Sequence, residues 1–269
     1  MVHVRAPARR LLGARSAAAV AAAIVGALGV VASTSASPRP SFGQFLEAGI
    51  PIYCGGGTKP YVALTFDDGP GPFTPRLVAL LRAYHARATF FVIGQKVVRK
   101  RRLVRLEASV GAIGDHSFTH PSLSTLPPAQ IRRQLARTQQ AIRTVTRRRV
   151  RLFRPPFGDN AAEILGSARR LGMLEVMWNE DSGDATGVST PSSQEIYQNL
   201  VEQVNAGGIV LLHEDEVVPR TLEALRMFLP VLEQEGLQAV TVPELLRLDP
   251  PPLEQVAKGS GGCNSPWHP

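Results

Sequence analysis

Val62-Ala63-Leu64-Thr65-Phe66-Asp67-Asp68-Gly69-Pro70 is an apolar run that ends abruptly in two carboxylates and a Gly-Pro turn. A short apolar run bounded by turn residues reads as a buried strand. The stretch 74–84 then places Leu77, Leu80, Leu81 and Tyr84 on one helical face, which makes the pair a strand–helix unit. The same alternation continues. Apolar runs predict further strands at 88–93, 110–114, 150–153, 173–178, 208–212 and 237–241. Helical periodicity predicts helices at 96–108, 127–146, 161–171, 193–205 and 219–235, with Pro127-Pro128 where a first turn tolerates proline. Seven strands alternating with helices predict parallel βα units in one α/β domain, a distorted (β/α)7-type barrel.

The polar residues worth singling out fall at the C-terminal ends of these strands, where α/β barrels assemble their sites. They are Asp67 and Asp68, His116 and His120, Arg154, Asp181 and Asp184, and His213. His116 and His120 are spaced i, i+4, so a helical turn between them would set both imidazoles on one side of an ion, while a loop would leave them as polar caps. With Asp68 they form an oxygen–nitrogen donor set that suits Zn²⁺ and leaves a position open for water. Adjacent carboxylates repel without a compensating cation, which favours the metal reading. Successive strand side chains diverge, so Asp67 and Asp68 are not both expected to point at the ion. Arg154-Pro155-Pro156 reads either as a partner for a carboxylate or as a rigid turn with an exposed arginine.

Among the 269 residues, the first 36 stand apart. Arg5, Arg9, Arg10 and Arg15 precede an uncharged apolar run over 17–31 and then Thr34-Ser35-Ala36, the pattern of a secretory signal peptide cleaved near Ala36 or Ala32. The run is short of the ~20 residues of a membrane span, so an uncleaved anchor is the minor alternative. Residues 37–59 read as a Pro/Gly/Ser-rich linker or N-terminal extension closing onto the domain, 60–248 as the catalytic domain and 249–269 as a tail. The formal net charge of +8 includes the four signal arginines, and without them it is +4, no warrant for nucleic-acid binding. The remaining excess sits in 99–105 and 132–151, as solvated helix faces or as weak attraction to anionic cell-wall polymers. Cys54 and Cys263, each beside glycines, read as a disulfide in an oxidising compartment or as two free thiols.

The segments Thr65-Phe66-Asp67-Asp68-Gly69-Pro70, His116-Ser117-Phe118-Thr119-His120-Pro121, Arg154-Pro155-Pro156-Phe157-Gly158 and Leu211-Leu212-His213, in this order, resemble the polysaccharide deacetylases of the NodB-homology type, carbohydrate esterase family 4. The resemblance runs from about residue 60 to about 248 and implies the same distorted barrel. It makes Asp68, His116 and His120 the ligands of a divalent metal, zinc first, and Asp67 the base that takes a proton from water, held ionised by Arg154. It makes the N–H of Phe157, after Pro156, an oxyanion donor, and His213 the acid that protonates the leaving amine, oriented by Asp181. Asp184 is left between a role and the surface. Where the family often has an aromatic after the second aspartate this chain has Ala185, with Trp178 the nearest substitute for substrate packing.

The implied activity is exported, metal-dependent N-deacetylation of an N-acetylglucosamine-type polysaccharide by a monomer, peptidoglycan ahead of chitooligomers. The alternatives are an acetylxylan esterase of the same family and a non-catalytic glycan-binding relative, which would lack Asp67 or His213. An iron oxygenase with a two-histidine, one-carboxylate triad would leave Asp67, Arg154 and His213 without work.

Overall fold

The computed structural model describes residues 39–185, 190–214 and 218–263, all within one compact unit. The signal-peptide reading of 1–36 lies outside the described residues. Eight strands form one parallel sheet: β1 (Tyr61–Gly69), β2 (Ala88–Val92), β3 (Gly111–Asp115), β4 (Leu152–Phe153), β5 (Leu174–Glu175), β6 (Glu180–Asp181), β7 (Ile209–His213) and β8 (Gln238–Ala239). Their order is β5-β4-β3-β2-β1-β7-β6, while β8 pairs with Tyr61 and Val62 before β2 takes over from Leu64. The sheet curls into a half-barrel whose outer strands are β5 and β6. Chain 52–55 bridges toward the gap: Ile52 N–H donates to Glu175 O and Gly55 N–H to Gly207 O, at 2.9 and 2.7 Å.

Helices pack on the outside: α1 (Phe42–Ala48), α2 (Thr74–Ala83), α3 (Gly94–Arg99), α4 (Arg101–Glu107), α5 (Pro128–Thr146), α6 (Ala162–Arg170), α7 (Ser193–Gln203), α8 (Val218–Gln234), α9 (Val242–Leu248) and α10 (Leu253–Val256). Among the described residues no helix is long and apolar enough to cross a membrane.

The period of two in β1 sorts its side chains. Val62, Leu64 and Phe66 enter the apolar layer under the helices, while Ala63 joins a second cluster with Phe91, Leu152, Val176, Ile209 and Leu245. Thr65 and Asp67 follow Ala63 on the same face, so the barrel interior passes from an apolar floor to buried polar groups toward the strand ends. The same alternation turns His213 inward on β7, after Ile209 and Leu211.

Two expectations are corrected. Residues 39–59 are not a linker: α1 starts in a capping box between Ser41 and Gln44 and buries Phe45 completely in the floor cluster. A fully buried phenylalanine stabilises by roughly 1.5–3 kcal/mol, one of the contributions that hold this segment on the domain. The single helix expected over 96–108 is two, broken at Lys100, inside the run Arg99 to Arg102 whose like charges weaken a continuous helix. The break lets Lys96 and Lys100 donate to Asp68 O and Pro70 O, at 2.9 and 3.2 Å. The distorted (β/α)7-type barrel itself is borne out, and among the described residues one further short strand, β6, forms from Glu180 and Asp181 without any apolar run.

Residues 249–263 are part of the domain as well. Cys54 and Cys263 form a disulfide with Cα atoms 5.8 Å apart across 209 residues of chain. In the chain-entropy model a loop of that size stabilises by roughly 5 kcal/mol.

Candidate active site

At its end β1 carries a bulge: Asp67 pairs with Phe91 and Gly69 with Val92, leaving Asp68 unpaired at φ 68°. A left-handed residue in an extra position turns its side chain out of the strand's alternation. Both carboxylates therefore reach one cluster, contrary to the strict divergence expected of neighbours. Asp67 Oδ2 and Asp68 Oδ1 lie 3.7 and 3.6 Å from His116 Nε2, and Asp68 Oδ1 lies 3.2 Å from His120 Nε2.

The loop after β3 is not helical. Ser117 and His120 both have positive φ, 61° and 58°, and these reversals fold the two imidazoles to 5.0 Å between centroids. The buried Asp115 holds the turn by accepting from Ser117 N–H at 2.8 Å, while Ser117 Oγ accepts from His120 N–H at 3.1 Å. His116 Nδ1 lies 2.8 Å from Arg154 O. A proton on Nδ1 donated to that carbonyl leaves the Nε2 lone pair facing the cluster.

Ligand atoms of Asp68, His116 and His120 lie within 4.8 Å of one another. Asp68 Oδ1 is buried without a hydrogen-bond donor. A buried acceptor left bare costs about 1–3 kcal/mol, and here two imidazole nitrogens converge on it. This donor chemistry fits a cation: one carboxylate oxygen and two imidazoles, with positions left open. His120 has its pKa lowered, first by burial and then by His116, with Asp68 and Asp67 opposing, so the ring is biased toward the neutral form that ligates.

Arg154 is fully buried and not an exposed turn residue. Its Nε donates to Val176 O, Nη2 to Met177 O, and Nη1 to both Thr65 Oγ1 and Asp67 Oδ1, at 3.0, 2.9, 2.8 and 2.9 Å. Its guanidinium carbon lies 4.3 Å from the ring centre of Phe91 and 5.4 Å from that of Trp178. Burial lowers the Arg154 pKa, against the opposing charge and hydrogen bond of Asp67 and the charge of Asp181. Arginine stays charged regardless, so Asp67 is held beside a fixed cation.

His213 finds its partner in Asp184, not in Asp181. Its Nδ1 lies 2.8 Å from Asp184 Oδ1, its backbone N–H donates to Asp184 Oδ2 at 2.9 Å, and Thr221 Oγ1 donates to the same oxygen at 2.9 Å. Asp184 is fully buried. Asp181 is exposed, and its Oδ1 accepts from Gly183 N–H at 2.9 Å, capping the turn that delivers Asp184. On β6 the strand direction sends Asp181 outward, and the turn through Gly183, at φ 68°, brings Asp184 back in. Burial disfavours the charged His213 ring, but the hydrogen bond and charge of Asp184, with the charges of Asp67 and Asp68, outweigh it and push its pKa up to about 9.

Phe157 follows the buried Pro156 at φ 60°, and its ring is 73% exposed, edge-on to His120 with centroids 4.7 Å apart. Trp178 is half-buried against the floor cluster and Arg154, so the open aromatic beside the ligand cluster is Phe157 instead. Thr65, Asp115 and Thr221 are supports that carried no motif signal; Asp115 could have been suspected as a charge inside an apolar strand beside His116.

A parallel half-barrel carries at one mouth a two-histidine, one-carboxylate cluster that could hold a metal ion, an arginine-held carboxylate and an aspartate-held histidine, residue types suited to hydrolysis. Residues 55–176 match the polysaccharide deacetylase family model. The chain is 34% identical over 189 residues to a peptidoglycan-N-acetylglucosamine deacetylase of Bacillus cereus, covering 69% of this chain and 88% of that protein. It is also 34% identical over 178 residues, 66% of this chain, to a bifunctional xylanase/xylan deacetylase of Cellvibrio japonicus, of whose length it spans 26%. Among solved structures, a CE4 family pseudoenzyme from Bacillus anthracis superposes with a TM-score of 0.67 at 32% identity, covering 73% of this chain and 68% of that one. The chain belongs to the polysaccharide deacetylase family.

Proposed function

We propose that this chain is an exported, metal-dependent N-deacetylase of N-acetylglucosamine-type glycans, with peptidoglycan the leading substrate, chitooligomers next and acetylated xylan behind. The observation that carries the reading is the pair of proton-handling groups flanking the ligand cluster. Asp67 is locked on Arg154, and His213 is locked on Asp184.

Asp68, His116 and His120 would hold the cation, zinc by the chemistry of the donor set, and the ion supplies Lewis-acid activation of water and of the acetamide carbonyl. Asp67 takes the proton of the attacking water. Arg154 holds that carboxylate in place by donating from Nη1 to Asp67 Oδ1 at 2.9 Å. The Phe157 N–H steadies the developing oxyanion. His213, protonated at neutral pH by its raised pKa, delivers a proton to the departing amine. The exposed Phe157 ring offers a face for a sugar where Ala185 supplies none.

Export is supported by the arginine-led apolar segment before residue 37 and by the disulfide, a bond that persists in oxidising compartments. The test is to incubate the zinc-loaded protein with de-proteinated cell wall, chitooligomers and acetylxylan, following acetate release and product mass. Acetate from the amide substrates supports the reading. Acetate from xylan alone makes the chain an esterase, and none from any substrate makes it a binding relative.

A further inference from the structure

Between Asp115 and Asp159 the sequence has no acidic residue, while nine arginines occur there and only Arg154 is buried. Helix α5 carries Arg132, Arg133, Arg137 and Arg143 on its exposed side, and Arg147 to Arg149 and Arg151 follow it, all exposed. Among the described residues no carboxylate comes within ion-pair distance of any of them. A solvated helix face ordinarily mixes signs, since opposite charges at i, i+4 stabilise and like charges such as Arg133 and Arg137 oppose the helix by a few tenths of a kcal/mol. The helix dipole welcomes cations in the last turn, which accounts for Arg143, but it disfavours them in the first half, where Arg132 and Arg133 stand. Arg147 occupies the left-handed cap position at φ 59°, where glycine is the usual choice. Helix stability therefore explains little of this arrangement.

The arginines line two grooves. One, of about 690 Å³, is bounded by Gln139, Arg143, Arg147, Arg148 and Arg149. The other, of about 490 Å³, lies on the opposite flank of α5 against Arg101, Arg133, Arg137 and Phe118, and Gln140 and Thr144 border both. The second reaches the back of the ligand loop, since Phe118 lies between His116 and His120 and carries the Arg137 guanidinium at 3.7 Å from its ring centre. Guanidinium groups beside amide and hydroxyl donors match phosphate oxygens in charge and fork geometry. With grooves on two flanks of α5, a single flexible chain can bend to follow them more readily than a rigid duplex can.

We infer that the α5 face is a binding site for a linear polymer of repeating phosphate groups, separate from the hydrolytic site and serving to hold the protein against a phosphate-bearing matrix. The inference is independent of the proposed deacetylation, because none of these arginines belongs to the site at the strand ends. The test is titration of the full chain with long-chain inorganic polyphosphate. The combined Arg143→Gln, Arg147→Gln, Arg149→Gln variant should bind at least about tenfold more weakly. A variant with the same charge loss elsewhere, Arg220→Gln, Arg226→Gln, Arg247→Gln, should stay within about threefold of the parent, and both should keep the parent's unfolding temperature and its rate on a small substrate. Raising salt from about 50 to about 200 mM should weaken binding by about tenfold or more. Equal loss in the two variants would reduce the effect to net charge and overturn the site. Absence of polyphosphate binding at low salt, or duplex DNA binding as tightly per phosphate, would overturn it too.

Discussion

His213 meets Asp184 through its ring and its backbone N–H, at 2.8 and 2.9 Å, and Thr221 occupies the same carboxylate. His116 and His120 meet Asp68 at 3.6 and 3.2 Å, and the shared oxygen has no donor at all. The same residue types thus build two different devices a few strands apart. In the first every lone pair of the buried carboxylate facing the ring is used, and the histidine becomes a stronger base with a pKa of about 9. In the second, burial and the neighbouring ring lower the pKa of His120. The closed pair holds a proton; the open cluster has the donor chemistry to hold a cation. Which of the two a histidine joins is decided by the backbone, through a bulge at Asp68 and reversals at Ser117 and His120 on one side and a glycine turn on the other.

Removing the base next to the open cluster should have the largest effect on activity. Asp67→Asn keeps the size of the side chain and a contact to Arg154 but cannot take a proton. Turnover should fall by on the order of 10³-fold while the cation is retained. A fall smaller than tenfold, measured as acetate release, would remove Asp67 from proton transfer.

Breaking the closed pair comes next. His213→Ala should lower amide turnover by about 10²-fold and hydrolysis of an activated aryl ester far less, because that leaving group departs without a proton. Equal losses on amide and ester would assign His213 to positioning and not to acid catalysis.

Asp184→Asn sharpens the comparison through pH. It removes the charge that raises His213 and leaves burial, which lowers it, so the alkaline limb of kcat/KM should move to lower pH. The linked stability has a definite sign. A histidine raised from 6.5 to about 9 contributes fully below pH 6.5 and loses that contribution as pH rises through about 9. The parent should therefore unfold at a higher temperature than Asp184→Asn near pH 6, and the difference should narrow toward pH 10. An unmoved alkaline limb would separate Asp184 from the ionisation of His213.

Asp181→Asn should be the mildest change, within about threefold in turnover, since the exposed Asp181 only caps Gly183 N–H and acts on Arg154 from a distance. A loss as large as that of Asp184→Asn would restore Asp181 as the partner of His213.

Much of this was legible in the sequence. The long apolar runs of β1, β2, β3 and β7 and the faces of α2 and α5 stand out because burial on one side imposes a period. The two-residue strand β6 has no run to show a period, and its turn swaps the roles of Asp181 and Asp184 without any residue signalling it except Gly183. Helices α1 and α9 did leave a signal, the capping boxes Ser41-x-x-Gln44 and Thr241-x-x-Glu244, hidden by glycine and proline around them. The donor residues of the cluster were legible by type and spacing. Their convergence was not, because it depends on a bulge and on positive φ at ordinary residues, features that hydrophobic patterning does not encode.

The account rests on the claim that the open cluster, and not the closed pair, holds the cation. Zinc content after exhaustive dialysis of the parent, His116→Ala, His120→Ala and His213→Ala decides it. The account predicts about one zinc per chain in the parent and in His213→Ala, and little in the other two. Zinc kept by His116→Ala and His120→Ala, or lost from His213→Ala, would contradict it.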